Sequence, residues 1–172
     1  MRHNILKKLL TSLLIAGFGL FMLSGLQADE VEIPSLRNLQ TDGQTAEQGQ
    51  LPIVVLFSAS YCGFCTIVKD EFLRPMLISG EYTDKAMIRV IEIDTDGDLM
   101  DLNGQPISAE DFADRHNISL TPTLAFFDAQ GNELAPRMVG VTTVDFYGGY
   151  LDQAIDDSLL RLKSEQQIAS NP

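Results

Sequence analysis

The segment PIVVLFSAS, residues 52–60, limits the fold of this chain more than any other part of it. Ile53, Val54, Val55, Leu56 and Phe57 follow one another without a polar residue, and three of the five are β-branched. A strand with no polar face to turn toward water reads as a central strand, buried on both sides. Such a strand needs a packed layer above it and another below it. A chain of 172 residues, 45% hydrophobic and 21% charged, is long enough to build one domain with a proper core around it.

The other elements supply those layers. CTIVKDEFLRPM follows the strand and carries Ile67, Val68, Phe72 and Met76 at helical spacing, and Pro75 is expected to end or kink that helix. KAMIRVIEID (85–94) reads as a second strand, whereas TDGDLMDLNGQPI (95–107) holds too many turn residues for a regular element. SAEDFADRHNI reads as a helix with Ser108 as N-cap and Asp111 in the capping-box position. TLAFFD and ELAPRMVG read as two strands joined by AQGN, and Pro136 puts the second at an edge. From Val144, the residues Phe146, Tyr150, Leu151, Ala154, Ile155, Leu159 and Leu162 mark one face of a final helix, with a fraying tail from Lys163. Upstream, residues 29–50 are polar. There TDGQTAEQGQ (41–50) has the composition of a loop, and SLRNL is a candidate short helix with Leu36 and Leu39 on one face. Strands alternating with helices, followed by a hairpin, imply an α/β fold with a central mixed sheet covered by helices on both faces.

Both cysteines lie in YCGFC, where the strand gives way to the helix. A sulfur at a helix start meets unpaired N–H groups and the positive end of the dipole, which favour thiolate over thiol at Cys62. The thiolate is the nucleophile of disulfide exchange. Cys65, one turn further in, is more shielded yet within reach of a mixed disulfide at Cys62. Gly63 allows the tight backbone and Phe64 offers an apolar contact. Other readings of the pair remain open at this point. A structural disulfide across two residues closes a small loop and stabilises little. A zinc site needs about four ligands, where this motif supplies two. Buried inert thiols fit poorly at such a junction.

The first residues set the compartment. MRHNILKK carries Arg2, Lys7 and Lys8, LLTSLLIAGFGLFML is apolar throughout, SGLQA follows, and no acid occurs before Asp29. This is the layout of a secretory signal peptide cut after Ala28, or of an uncleaved anchor. In either case the body is expected outside the cytoplasm, in the periplasm. Taking those three positive charges from the net −12 leaves −15, a body repelled by nucleic acid and anionic lipid. Asp94, Asp96, Asp98 and Asp101 suggest a Ca²⁺ loop, but Leu99 and Gln105 stand where an EF-hand needs Gly and Glu, so a solvated acidic loop is expected. His116 is expected at a helix C-terminus, satisfied by the dipole.

SASYCGFC after a buried strand, with TPTLAFFDAQGNE opening a later strand and hairpin, resembles the thioredoxin superfamily over roughly residues 35–162. Within it the chain is most similar to exported bacterial thioredoxin-like thiol:disulfide proteins. The resemblance implies a thioredoxin-like domain over residues 51–163, between a leader (1–28) with a polar segment (29–50) and a flexible tail (164–172). It implies that Cys62 attacks and Cys65 resolves. Thr121–Pro122 matches the family's cis-proline dipeptide, and Thr121, Pro122, Tyr61, Gly63 and Phe64 are expected to wall the active site. Three departures stand out. Tyr61 occupies the usual tryptophan position. Leu56 stands six residues before Cys62, where the family carries a buried acid, which leaves Glu71 or a water as candidate proton acceptors for Cys65. Gly63–Phe64 is neither the Gly-Pro of reducing thioredoxins nor the Pro-His of strong oxidants; with Thr121 it is closer to the disulfide isomerases.

The implied function is a thiol:disulfide oxidoreductase that reduces disulfides of exported protein partners. A membrane-borne thiol or electron donor would recharge it, and no cofactor is expected beyond the Cys62–Cys65 disulfide. No metal or nucleic acid is expected, and residues 29–50 are too few for a dimerisation domain, so a monomer is expected. The alternatives are a disulfide oxidase or isomerase, or a non-catalytic binding or assembly module.

Overall fold

All six residues of strand β1, Ile53–Ser58, are buried in the computed structural model, which describes residues 31–170. The signal-peptide reading concerns residues 1–28 and lies outside the described residues. β1 pairs in parallel with β2 (Met87–Glu92) and antiparallel with β5 (Thr123–Phe127), and β5 pairs antiparallel with the short β6 (Met138–Val139). The sheet order is therefore β2-β1-β5-β6, a mixed sheet.

Alternation along β1 divides the interior in two. Ile53, Val55 and Phe57 join Met87 and Ile91 under helices α1 (Leu39–Gly49) and α4 (Ala109–Arg115), with Leu39, Ala46, Phe112 and Ala113 closing the layer. Val54 and Leu56 join Ile88 and Val90 on the opposite face. That face is covered by Val68, Leu73 and Met76 from the helix after the dithiol, and by Tyr147, Leu151 and Ile155 from α5 (Val144–Ser170).

The helix that carries the cysteines runs in three pieces: α2 (Gly63–Ile67), a π-helical stretch (Val68–Leu73) and α3 (Arg74–Ser79). Pro75 neither ends nor breaks it. Proline lacks an N–H and its ring crowds the carbonyl four residues back. The π-turn just upstream, where Arg74 N–H donates to Lys69 O, takes up that misfit, and the helix continues. The extra residue also moves the buried stripe, which runs Cys65, Val68, Leu73, Met76. Leu73 takes the place expected for Phe72, and Phe72 instead rests on the Tyr147 ring with centroids 4.9 Å apart.

Four further differences from the sequence reading have local causes. Residues 41–49 are helical, within α1, and SLRNL forms no helix before Leu39: Leu36 N–H donates to Val90 O and Val90 N–H to Pro34 O, so this stretch edges the sheet. Asn38 then caps α1 by accepting from Thr41 N–H at 3.0 Å. Composition hid α1 because Gly43 reads as a loop residue. A Cβ at Gly43 would sit 2.8 Å from the Ala129 carbonyl oxygen, so glycine there permits close packing. Second, residues 98–108 contain a small hairpin, β3 (Asp98–Met100) with β4 (Pro106–Ser108). Its turn is closed by the buried Asp101 carboxylate, which accepts from Asn103 and Gln105 N–H, both at 2.9 Å. Third, ELAPRMVG is mostly irregular, with a single bridge at Glu133 and the two-residue β6. Fourth, α5 extends to Ser170, past the expected fraying point at Lys163, and it turns Phe146 and Tyr150 to solvent while Tyr147 and Leu151 face the core. Among the described residues, no helix is long and apolar enough to cross a membrane.

Candidate active site

β1 delivers its last residue, Ser58, to a short loop that ends at Cys62, the N-cap of α2. The loop is fixed at both ends. Cys62 N–H donates to Ala59 O at 3.0 Å, and Ser60 donates its N–H at 2.9 Å and its hydroxyl to the Asp94 carboxylate. Those bonds, the hydroxyl's first, hold the Asp94 carboxyl below the usual carboxylate range, with Lys69 adding a smaller favourable field. Asp94 lies just past β2, so the second strand braces the loop that the first one feeds. Sequence reasoning counted Asp94 only among candidate calcium ligands and missed this role; Ser60, two residues before Cys62, was the available signal.

The two cysteines are joined as a disulfide, with Cα atoms 5.2 Å apart. Cys65 is fully buried, whereas Cys62 is half-buried. Cys62 Sγ accepts a hydrogen bond from Cys65 N–H at 3.1 Å, so a backbone donor already points at the sulfur. In the reduced form the same donor and the helix dipole favour the thiolate at Cys62. Gly63 is open on its side-chain side, with nothing within 4 Å of a Cβ built there. Tyr61 and Phe64 flank the pair at 80% and 57% exposure, an apolar rim that covers no core.

The Thr121–Pro122 peptide bond is cis. Thr123 is registered with Phe57, so continuing that antiparallel ladder sets Pro122 opposite Ser58 and Thr121 opposite Ala59, at the end of the sheet where the dithiol emerges. Pro122 is buried, and its carbonyl accepts from Gly140 N–H at 2.8 Å. The expected wall residues therefore come to one end of the molecule from two separate parts of the chain.

Other candidates fall elsewhere. Glu71 is exposed, six residues beyond Cys65 on the helix. Leu56 is fully buried between Val90 and Leu124, so the position where an acid was sought is apolar on every side. The acids after β2 serve as local braces. Asp96 accepts from Glu92 N–H and pairs with Arg37, both at 2.9 Å. Asp101 pairs with Arg115 at 3.0 Å, and the Gln105 N–H first, then Arg115, hold it below the ordinary carboxylate range. His116 caps α4 as expected from its position, but its ring packs against Phe112 and Phe127 at centroid distances of 4.7 and 4.8 Å. Burial lowers its pKa, outweighing the raising effect of Glu133.

One polar group near the dithiol escaped the sequence reading altogether. Lys69, one turn past Cys65, pairs with Glu92 on β2 at 2.6 Å. The other Glu92 carboxylate oxygen and the Ser58 hydroxyl are buried with no hydrogen-bond partner.

Comparison with known proteins agrees with this architecture. The sequence pattern of the thioredoxin-like domain family matches residues 39–155. No curated protein sequence matches the chain. Among solved structures, DsbH oxidoreductase is 16% identical, with 77% of this chain and 92% of that one covered, at a TM-score of 0.51. Oxidised mitochondrial thioredoxin 3 from Saccharomyces cerevisiae is 19% identical over 73% of this chain and 94% of its own, with a TM-score of 0.50. At such identities the likeness speaks to the fold alone, and the chemistry rests on the family and on the paired sulfurs. The chain belongs to the thioredoxin-like domain family, and its Cys62–Cys65 disulfide makes it a thiol:disulfide oxidoreductase.

Proposed function

We propose that the protein works in the periplasm, where it reduces disulfides of exported protein partners. The observation that carries the reading is the unequal exposure of the two sulfurs: Cys62 is accessible at the helix start and Cys65 is fully buried one turn further in. The Cys62 thiolate attacks a partner disulfide, forming a mixed disulfide and releasing one partner thiol. Cys65 then attacks Cys62 Sγ, closes the internal disulfide and releases the second thiol. Two electrons pass to the partner, and a membrane-borne dithiol donor returns them. Tyr61, Phe64, Thr121 and Pro122 form the wall against which an extended partner segment rests, and Gly63 leaves room for it. The basic start and apolar run of residues 1–28 support export. The chain holds no cysteine besides this pair, which suits a reductant that must not cross-link itself.

An isomerase uses the same atoms, and the Gly63–Phe64 dipeptide with Thr121 before Pro122 favours that second reading. The reduction potential, measured against glutathione, separates the two. A value toward the roughly −270 mV of reducing thioredoxins supports the reductant, one of about −180 mV favours the isomerase, and one near −120 mV rejects the reductant. Cys62→Ser is expected to abolish reduction of insulin disulfides and to trap nothing, while Cys65→Ser accumulates mixed disulfides with partners. Full biological activity in both variants would reject redox work and leave a binding module.

A further inference from the structure

We propose that Glu92, acting through the Ser58 hydroxyl, takes up the proton that Cys65 must lose before it can resolve a mixed disulfide. This rests on the exchange chemistry above and assigns a part of it that Leu56 leaves empty. Cys65 is fully buried, and a partner bound at Cys62 covers it further, so its proton needs an internal acceptor.

Three observations converge on Glu92. The first is the strand register. Val54 and Leu56 of β1, with Ile88 and Val90 of β2, face the helix that carries the dithiol, so Ser58 and Glu92 continue that face by alternation. They are registered partners, about 4.8 Å apart across the strands. Second, Lys69 lies four residues after Cys65, and residues at that spacing share a helix face. Lys69 Nζ reaches Glu92 Oε1 at 2.6 Å, which ties the carboxylate to the dithiol helix one turn past Cys65. Third, Ser58 Oγ and Glu92 Oε2 are buried and unbonded. Buried polar atoms without partners are costly and call for an explanation, and a proton path supplies one. Lys69 occupies one carboxylate oxygen, while the other oxygen stays free to accept.

The charged and titratable groups around Glu92 leave that oxygen free. Lys69 approaches from the π-helical stretch. Asp96 holds the Glu92 N–H and is itself paired with Arg37. Asp94 is engaged by Ser60, and the Tyr147 hydroxyl on α5 is kept neutral by burial, its pKa pushed up to about 12. In the step itself, the Cys65 S–H proton passes by way of Ser58 to Glu92. The Cys65 thiolate forms the S–S bond to Cys62, and the bond from Cys62 to the partner sulfur breaks with its electron pair on the leaving thiolate. The proton returns along the same path when a dithiol donor reopens the disulfide.

The test uses the reduced full chain and glutathione disulfide as the probe, with quenched samples read by mass. Glu92→Gln is expected to form the Cys62–glutathione adduct within twofold of the parent rate. It should then resolve the adduct about 100-fold more slowly at pH 7, a usual size for losing a general base. The deficit should shrink toward pH 9, as hydroxide ionises a growing share of the thiol without the acceptor. Ser58→Ala should show the same pH-dependent deficit, about tenfold. Parental resolution at pH 7 in both variants, or a slowing that is equal at every pH, overturns the relay. If Glu92→Gln does not fold, Ser58→Ala decides by the same criterion. A parent that forms no adduct at Cys62 would instead reject the exchange reading itself, so the two failures are distinct.

Discussion

The two faces of β1 are built from the same strand and differ in what they carry. Ile53, Val55 and Phe57 meet an apolar layer under α1 and α4, and Phe57 stacks on Phe112 with ring centroids 5.8 Å apart. The other face begins as apolar, with Val54 and Leu56, and ends at Ser58 beside a partly buried ion pair and the dithiol helix. One face holds the fold together, and the other gives up some of its stability at one end to polar groups that chemistry needs. The lesson is that structure and function separate here by alternate residues, at a spacing of a single peptide unit.

Substitutions can test how clean that separation is. Cys62→Ala should remove exchange by a thousandfold or more in an insulin-reduction assay, as expected on losing a nucleophile, while urea unfolding of the parent and variant stays close. The mirror experiment is Phe57→Ala. It should cost about 3–5 kcal/mol in urea unfolding, with exchange per folded molecule nearly unchanged. A large loss of exchange in the folded fraction would break the comparison. Gly43→Ala tests the same stabilising face at its rim. Its new Cβ meets the Ala129 carbonyl, and the clash should cost about 1–3 kcal/mol without altering exchange.

Acidification should act on the stabilising face as well. Burial lowers the His116 pKa, so the folded state resists protonation that the unfolded chain accepts near pH 6.5. The associated stability is present above that value and is lost as the pH falls below it. His116→Phe should flatten the change in unfolding midpoint between pH 7.5 and 5.5. An undiminished slope would mean that other groups carry it. The smallest expected effect is on the functional side. Asp94→Asn keeps an acceptor for Ser60 but loses the charge, and exchange should fall about two- to fivefold with little change in unfolding.

The parts that could be read in the sequence were those with a strong local signature. The five apolar residues of β1, the cysteine pair at a helix start, Ser108 as the N-cap of α4, and the Asp128–Asn132 turn all act through neighbours in sequence. Indeed Ser108 Oγ accepts from Asp111 N–H at 3.0 Å, and Asp128 accepts from Gln130 and Asn132 N–H at 2.8 Å. The turn DLNGQ, residues 101–105, uses the same device as DAQGN, with an aspartate accepting two N–H groups and a glycine at positive φ. Its flanking strands are only three residues long, too short to leave a pattern in the sequence. What stayed hidden depends on partners distant in the chain. Gly43 makes sense only against Ala129, Asp94 only against Ser60, and Glu92 only against Lys69. The expected acid position lies on β1, whereas the acid that pairs with the dithiol helix comes from the neighbouring strand.

The π-helical stretch has a consequence for how the chain tolerates change in length. Each residue of an α-helix advances the chain by about 100° around the axis. Deleting one residue between Val68 and Leu73 would restore regular winding and leave Leu73 and Met76 facing the core, because the π turn uses one residue more than an α-helical turn on nearly the same rotation. Forcing the present sequence into regular winding without that deletion would instead turn Met76 away from the core and sweep the exposed Ile78 around. The π turn is thus a phase corrector. It lets the helix carry one extra residue and still present Cys65, Val68, Leu73 and Met76 to the same side.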